Sequence, residues 1–344
     1  MLKCSSKPFA ENLLSGFGLT ADGNIPKTHS RKAHLTRRFI YCSIMKKYLQ
    51  AIIFWFFYPV LRIFTWMPLR LQYLFADVLY FLMLVSGYRK KVIRNNLKNA
   101  LPEKSEKERK SIERKFYRHL ADSLLESVAQ MGFSREELAL RFRFKNPELI
   151  NRYAREGKSV LLATAHYANW EWFASFPPIS PFRVLAIYKP LRNPFMDRLF
   201  VKIRERTGAI ACPMEEVVRK IYFFRDKNIP TLTYFIVDQR PLRKSIGYWD
   251  IFLHQETPFY LGIEKIARKT GFPVFFMKVD KVARGYYEAE FILLEEEPAQ
   301  TKPYEITRRH IRLLEEIIRE KPELWLWSHR RWKHKRLAEE ILPD

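Results

Sequence analysis

From about Ser159 onward the sequence alternates between short apolar runs and helix-like segments. The runs are short, rich in β-branched and aromatic residues, and bounded by Gly, Pro or polar residues, which is the pattern of buried strands. They are SVLLATA (159–165), RVLAIYK (183–189), GAIAC (208–212), PTLTYFIV (230–237), FPVFFMKV (272–279) and YYEAEFILL (286–294). Helix-like segments lie between them at about 195–206, 214–226 and 258–269. This alternation predicts an α/β domain with a largely parallel sheet flanked by helices, and such sheets gather functional side chains at the C-terminal ends of their strands.

Two apolar stretches precede this domain, LQAIIFWFFYPVLRIFTWM (49–67) and LQYLFADVLYFLMLVSGY (71–88). The first is close to the roughly 20 residues that cross a bilayer. However, it contains Pro59 and Arg62, and the second contains Asp77, a charge that is costly inside hydrocarbon. One span plus one helix in the interface is therefore as well supported as two spans. The remaining alternative is a pair of buried core helices in a soluble protein.

The charge of the chain indicates an anionic partner. Lys and Arg number 61 against 37 Asp and Glu, which gives a net charge of +24. Aromatic residues make up 15% of the chain, which favours a lipid surface over nucleic acid. Lys46 and Lys47 precede the apolar stretches and RKK (89–91) follows them. By the positive-inside preference, these residues place the globular part on the cytoplasmic side of a membrane if the two stretches are re-entrant or interfacial.

The N-terminal part differs from the rest of the sequence. Residues 1–44 have no helical or strand period and lack the features of a signal peptide, so we interpret them as a disordered tail or as an extension upstream of a true start at Met45. Further on, Ser105 and Glu108 form a capping box ahead of an amphipathic helix. The predicted organisation is an extension (1–44), a membrane-anchoring helical segment (45–92) and a main domain (93–344) with a helical lead-in (103–150) and an α/β core (158–333).

Several kinds of site are not indicated by the sequence. Cys4, Cys42 and Cys212 have no paired spacing, and no histidine pattern typical of a metal site occurs, so we expect no bound metal and no cofactor. No glycine-rich phosphate loop and no G-x-S-x-G nucleophile elbow is present. A nucleotide-dependent or serine-based reaction therefore has no support.

The stretch TAHYANWEW (164–172) follows the first predicted strand and contains His166 and Glu171. A histidine at a strand end faces a crevice with one ring nitrogen, and a nearby carboxylate can hold the other nitrogen and stabilise the imidazolium. Such a histidine could activate a substrate hydroxyl directly. A structural histidine beside an exposed glutamate fits the residue types equally well. Asn169 is a candidate to hold this loop or to cap the following helix.

The motif resembles H-x-x-x-x-D/E of the lysophospholipid acyltransferase superfamily, and its surroundings resemble the lipid A biosynthesis lauroyl/myristoyl acyltransferases in a Bacteroidetes-like form. The likeness covers roughly residue 45 to the end. Further blocks match this family in order: YKPLRNPFMDRLF (188–200), IRERTG (203–208), VDQRPLRKS (237–245), FLHQETPFYLGIEKIARKTGFPV (252–274) and PELWLWSHRRWK (322–333).

This resemblance implies transfer of a fatty acyl chain from acyl-acyl carrier protein to the 3-hydroxyl of an acyl chain on a lipid A precursor. His166 would act as the general base and Glu171 would orient it. The implied partners are the acyl carrier protein, the anionic lipid A precursor and the membrane, without nucleic acid. Replacing either His166 or Glu171 with alanine is expected to abolish transfer.

The resemblance also assigns candidate binding residues. Arg204 is a candidate to pair with a lipid phosphate or the developing oxyanion, unless it is a plain surface arginine. Asp238 is a candidate to orient Arg204 or another cation, unless it is a turn aspartate. Weaker candidates, each also explained by surface or capping roles, are Lys189, Asn193 and Arg243.

Two other functions remain open at this point. One is an acyltransferase that acts on a glycerophospholipid or an aminolipid. The other is a basic membrane-surface binding protein whose histidine and glutamate are structural. The C-terminal WLWSHRRWKHKR could serve as a platform for single-stranded nucleic acid, but Trp beside Arg suits a bilayer interface as well, and this segment ends the acyltransferase pattern.

Overall fold

A computed structural model describes residues 27–337 and 339–340. The chain divides into two compact units, one ending at Ile53 and the other beginning at Phe54. Helix α1 (Lys27–Trp66) contributes residues to both. Of the predicted extension, residues 1–26 lie outside the described residues, whereas the part from Lys27 is helical where the sequence indicated no regular element.

The main sheet has seven strands in the order β1-β9-β8-β2-β5-β3-β4, and a hairpin, β6-β7, stands apart from it. All neighbours in the main sheet are parallel except β8 and β9. The strands are β1 (Phe142–Phe144), β2 (Val160–Thr164), β3 (Arg183–Tyr188), β4 (Ile210–Pro213), β5 (Thr231–Ile236), β6 (Tyr248–Phe252), β7 (Gln255–Phe259), β8 (Val274–Ala283) and β9 (Tyr286–Glu295). The predicted α/β class and the six predicted strands are therefore confirmed.

Helices surround this sheet. After α1 they are α2 (Leu69–Ser86), α3 (Lys90–Ala100), α4 (Glu106–Ala129), α5 (Arg135–Arg141), α6 (Pro147–Arg155), α7 (Pro194–Glu205), α8 (Val217–Asp226), α9 (Gly262–Thr270) and α10 (Glu305–Glu320). The capping box predicted at Ser105 and Glu108 is present at the start of α4. The three helices predicted within the core correspond to α7, α8 and α9.

The hairpin β6-β7 was missed by the sequence analysis, which placed the start of a helix at residue 258. Its two-residue turn consists of Leu253 and His254, and both have positive φ angles, 48° and 62°. Two-residue hairpin turns of this kind usually contain Asn-Gly or Asp-Gly, which tolerate positive φ. Because Leu and His carry no such signal, the sequence did not reveal the turn.

Strand β2 lies inside the sheet between β8 and β5, and all of its side chains are buried. A parallel strand covered on both faces is expected to be apolar throughout, which explains the run VLLAT. Thr164 at its end is in register with Ile236 at the end of β5. The residues that follow these two strands therefore emerge side by side at the same edge.

Helix α2 is apolar on two faces that have different surroundings. One face buries Leu69, Tyr73 and Ala76 within the domain, and the Tyr73 hydroxyl donates to Glu126 Oε1 of α4 at 2.6 Å. The opposite face exposes a stripe of large apolar side chains, Leu71, Leu74, Phe75, Val78, Phe81, Leu82 and Val85.

Asp77, in the middle of α2, pairs with Arg284 at 2.7 Å. Both Tyr48–Trp66 and Leu69–Ser86 are long and apolar enough to cross a bilayer, but the one-sided packing of α2 favours a helix that lies in the interface.

The turn between β8 and β9 gives a test of how tightly α2 is held. Gly285 has a φ of +76°, and a Cβ there would overlap the Tyr73 hydroxyl, whereas Gly157 has a φ of +75° with open space around it. Gly285→Ala is expected to destabilise the protein by roughly 1–3 kcal/mol more than Gly157→Ala, because both variants carry backbone strain but only the first also overpacks. Thermal unfolding in detergent measures the difference. Equal losses of stability in the two variants would show that α2 shifts to accommodate the added methyl group at little cost.

Candidate active site

His166 and Asp238 meet at the C-terminal edge of the main sheet. Each lies two residues beyond the end of its strand, β2 or β5, and the register of these parallel strands brings them to the same level. The His166 Nδ1–H donates to Oδ1 of Asp238 across 2.7 Å. The predicted location of His166 at a strand end is thus confirmed.

The structure gives Glu171 a partner other than the one that the sequence predicted. Glu171 was expected to hold His166, but its carboxylate accepts from Arg204 Nη2 at 3.1 and 3.3 Å. Asp238 was expected to orient Arg204 or another cation, and in the structure it hydrogen-bonds to His166 and Trp325. The cause is local: Ala168 has a φ of +52°, and a 3₁₀ helix then begins at Trp170, which directs Glu171 to α7.

Asp238 is buried and ionised. Burial raises the pKa of its carboxyl, but the adjacent His166 and the Trp325 Nε1–H, which donates to Oδ2 at 2.9 Å, together outweigh burial and hold the pKa below its usual value. An ionised acceptor at Nδ1 selects the tautomer that carries its proton there. The lone pair of His166 is then on Nε2, which is the atom that can accept a proton.

The Nε2 side of His166 is partly open. The side chain of His166 remains 18% exposed, and the Gln239 amide donates to Nε2 across 3.0 Å. The ring of Trp170 lies against the imidazole at 5.0 Å, with an interplanar angle of 67°. A hydroxyl group that approaches from this side can replace the Gln239 amide and donate to the same nitrogen.

Asn169 fixes the loop between His166 and Glu171. Its Oδ1 accepts from the Trp172 amide at 3.2 Å, so it caps the 3₁₀ helix, as the capping interpretation predicted. Its Nδ2 donates to Glu126 Oε2 at 2.7 Å. The hydroxyl of Tyr287 donates to the same oxygen at 2.8 Å. Burial raises the pKa of Glu126, although the nearby Lys281 acts in the opposite direction.

The other predicted binding residues do not contact His166 among the described interactions. Arg204 lies on α7 and pairs with Glu171, and Asn193 caps α7 by accepting from the Phe195 and Met196 amides at 2.9 and 3.2 Å. Lys189 is exposed just beyond β3. Arg243 donates to Glu340 at 2.9 Å. The binding roles of these four residues stay predictions.

The sequence analysis did not single out Gln239, Trp170 or Trp325. Trp325 reaches the site because the C-terminal segment returns to β2, where it forms a bridge with Tyr167 and where the Leu324 carbonyl accepts from the Ala168 amide at 3.0 Å. Chain position gives no hint of this return. The available signal was the strand pattern, because matched strand ends bring residues 166 and 238 together.

These features define a class of protein, an α/β fold in which a histidine at the C-terminal edge of the sheet hydrogen-bonds to a buried aspartate, with an arginine–glutamate pair nearby. The family described as bacterial lipid A biosynthesis acyltransferase matches residues 42–334. The chain belongs to this family and is an acyltransferase.

Two bacterial relatives agree with this assignment. One is the lipid A biosynthesis palmitoleoyltransferase of Escherichia coli (strain K12), to which the chain is 22% identical over 256 residues, covering 74% of this chain and 82% of the relative. The other is a lipid A biosynthesis acyltransferase of Shigella flexneri, with the same identity and coverage.

Proposed function

We propose that this protein transfers a fatty acyl chain from acyl-acyl carrier protein to the 3-hydroxyl of an acyl chain on a lipid A precursor, at the cytoplasmic face of the inner membrane. Family membership supports lipid A as the acceptor. The observation that carries the chemistry is the hydrogen bond of Asp238 to His166 Nδ1, which leaves Nε2 to accept a proton at an accessible edge of the sheet.

In this reaction the 3-hydroxyl donates to His166 Nε2 as its oxygen attacks the thioester carbonyl. The proton moves to Nε2, and the buried Asp238 carboxylate stabilises the imidazolium that forms. Collapse of the tetrahedral intermediate breaks the carbon–sulfur bond, and the imidazolium returns the proton to the departing thiolate. The products are a new ester and a free carrier thiol, so no further reactant is needed.

Arg204 supplies positive charge beside this centre. Its guanidinium is held by Glu171 and by the faces of Tyr188 and Phe200, whose ring centroids lie at 5.6 and 5.8 Å. A small cavity of about 40 Å³, lined mainly by apolar side chains, adjoins the pair and lowers the local dielectric. Arg204 is thus suited to bind a lipid phosphate or to stabilise the oxyanion, and Glu171 is its positioning residue.

The helices at the start of the second unit offer an apolar surface along which a lipid acceptor can approach the site. The exposed apolar stripe of α2 suits the acyl region of a bilayer, and a net charge of +24 attracts anionic headgroups. Phe195 at the start of α7 stacks on Phe54 of α1 at 5.6 Å. The α7 side of the site therefore adjoins an apolar helix, and a lipid can approach from there.

Mass spectrometry of lipid A tests this function. Cells that lack the protein are expected to make lipid A without one secondary acyl chain. The wild-type gene should restore this chain, whereas a His166→Ala gene expressed at the same level should not. Intact lipid A with a changed phospholipid or aminolipid pool would identify a different acceptor, and unchanged lipids of every class would refute an acyltransferase role in these cells.

A further inference from the structure

A basic rim lies beside the site, at the edge of the sheet where β5 ends. Two segments form it: the loop after β5 and the C-terminal residues 330–336. Hydrogen bonds join them, from Arg240 to the Arg330 carbonyl at 3.4 Å and from Arg243 to the Lys335 carbonyl at 3.1 Å. We name this surface the C-terminal rim, and its cationic side chains are Arg240, Arg243, Lys244, Arg330, Lys333 and Lys335.

The C-terminal rim is close in the chain to two residues that contact the histidine–aspartate pair. Arg240 directly follows Gln239, whose amide donates to His166 Nε2 at 3.0 Å. At the other segment, Trp325 donates to Asp238, and the chain reaches Arg330 a few residues later. A molecule bound on this rim is therefore beside the atom that accepts the proton.

Much of the positive charge on the C-terminal rim is not neutralised within the protein. Arg243 pairs with Glu340 at 2.9 Å. By contrast, Lys244, Lys333 and Lys335 are exposed, and none of them forms an ion pair with the residues that the structure describes. Leu242 stands among these charges with 57% of its surface exposed. Exposed cations around an apolar contact suit a transient complex with an acidic protein.

The two sides of the site are built on different elements, although Arg89, which follows α2, also donates to the Ser328 carbonyl at 2.8 Å ahead of the rim. The α7 side contacts α1 through Phe195 and Phe54, which suits an acceptor held in a bilayer. The C-terminal rim is built instead on the hairpin, where Trp332 donates to Thr257 Oγ1 at 2.8 Å and Arg331 donates to the Pro258 carbonyl at 2.8 Å. A donor bound on the rim would therefore contact other elements than a lipid held beside α7.

We infer that the C-terminal rim docks the acidic carrier protein that presents the acyl thioester. This inference rests on the proposed function and adds the surface at which the donor binds. Lysine clusters speed association with an acidic partner, and the effect weakens with ionic strength. The rim should therefore govern the KM for the carrier-bound donor and leave the chemical step unchanged.

Charge reversal of two lysines tests this surface. Lys244→Glu/Lys335→Glu is expected to raise the KM for acyl-acyl carrier protein by about tenfold or more with little change in kcat, and to flatten the dependence of kcat/KM on salt. With acyl-pantetheine, a small donor, the same variant should match the wild type. Lys227→Glu/Lys269→Glu is the matched control, because these exposed lysines lie near the opposite edge of the sheet and the charge change is equal.

Each other outcome overturns the inference. Unchanged kinetics with the carrier-bound donor would show that the rim does not dock it. A higher KM for the lipid acceptor with both donors would assign the rim to lipid phosphates. A wild-type enzyme that uses acyl-pantetheine but not the carrier would contradict the donor in the proposed function itself, and it would remove the partner of the rim.

Discussion

Replacing His166 with alanine is expected to lower kcat for acyl transfer by roughly 10²–10⁴-fold, the usual contribution of a general base. The physical reason is that, in the proposed mechanism, Nε2 accepts the hydroxyl proton, with the tautomer of the ring fixed by Asp238. Purified enzyme in detergent, assayed with acyl-acyl carrier protein and a lipid A precursor, gives the rate. A variant that transfers acyl groups at the wild-type rate would refute the mechanism.

Alanine at position 166 also removes a partner from a buried charge. Asp238 is 2% exposed and would lose its imidazole partner, keeping the Trp325 N–H and the backbone N–H of residue 166, so the variant is expected to lose roughly 1–3 kcal/mol of stability. His166→Asn is the matched control because its amide can still donate to Asp238 but cannot accept and return a proton at neutral pH. We expect it to fold more stably than the alanine variant and to be equally inactive, which separates lost chemistry from lost structure.

Much of the fold could be predicted from the sequence, because local patterns specify it. Apolar runs with strand composition gave β2, β3, β4, β5, β8 and β9, and the capping box gave the start of α4. The hairpin could not be predicted, because its turn places Leu253 and His254 at positive φ, and neither is a typical turn residue. Three-residue β1 and the short α5 were also too brief to produce a period.

Only part of the site could be predicted from the sequence, because contacts between distant segments form the rest. His166 could be placed because it follows a strand, but its partner depends on the register between β2 and β5, a contact between segments 72 residues apart. Glu171 is close in sequence and yet points to Arg204, because the 3₁₀ helix capped by Asn169 turns it away. Glu126 accepts from Asn169 and is buried, but nothing in the sequence distinguishes it from the other glutamates of the helices.

The observed pairing of Asp238 with His166 and of Glu171 with Arg204 predicts different losses for the two carboxylates. Asp238→Asn is expected to reduce kcat by roughly 10³–10⁴-fold, because a neutral amide cannot stabilise the imidazolium and can donate to Nδ1, which moves the ring proton to Nε2. Glu171→Gln is expected to reduce kcat by about 10²-fold, because it loosens Arg204 without touching the base. Rates of the two isosteric variants, measured on equal amounts of folded enzyme, give the ranking.

Double-mutant cycles then assign each carboxylate to its partner. Residues that act as one unit are strongly non-additive, whereas independent sites add. Asp238→Asn should therefore cost little more in an enzyme that already carries His166→Asn, and Glu171→Gln should cost little more in an enzyme that already carries Arg204→Met. Glu171→Gln combined with Asp238→Asn should give close to the product of the separate losses. Strong coupling of Glu171 to His166 with an additive Asp238 would instead restore the pairing indicated by the spacing of the motif, and the hydrogen bonds at this edge of the sheet would not be those of the active enzyme.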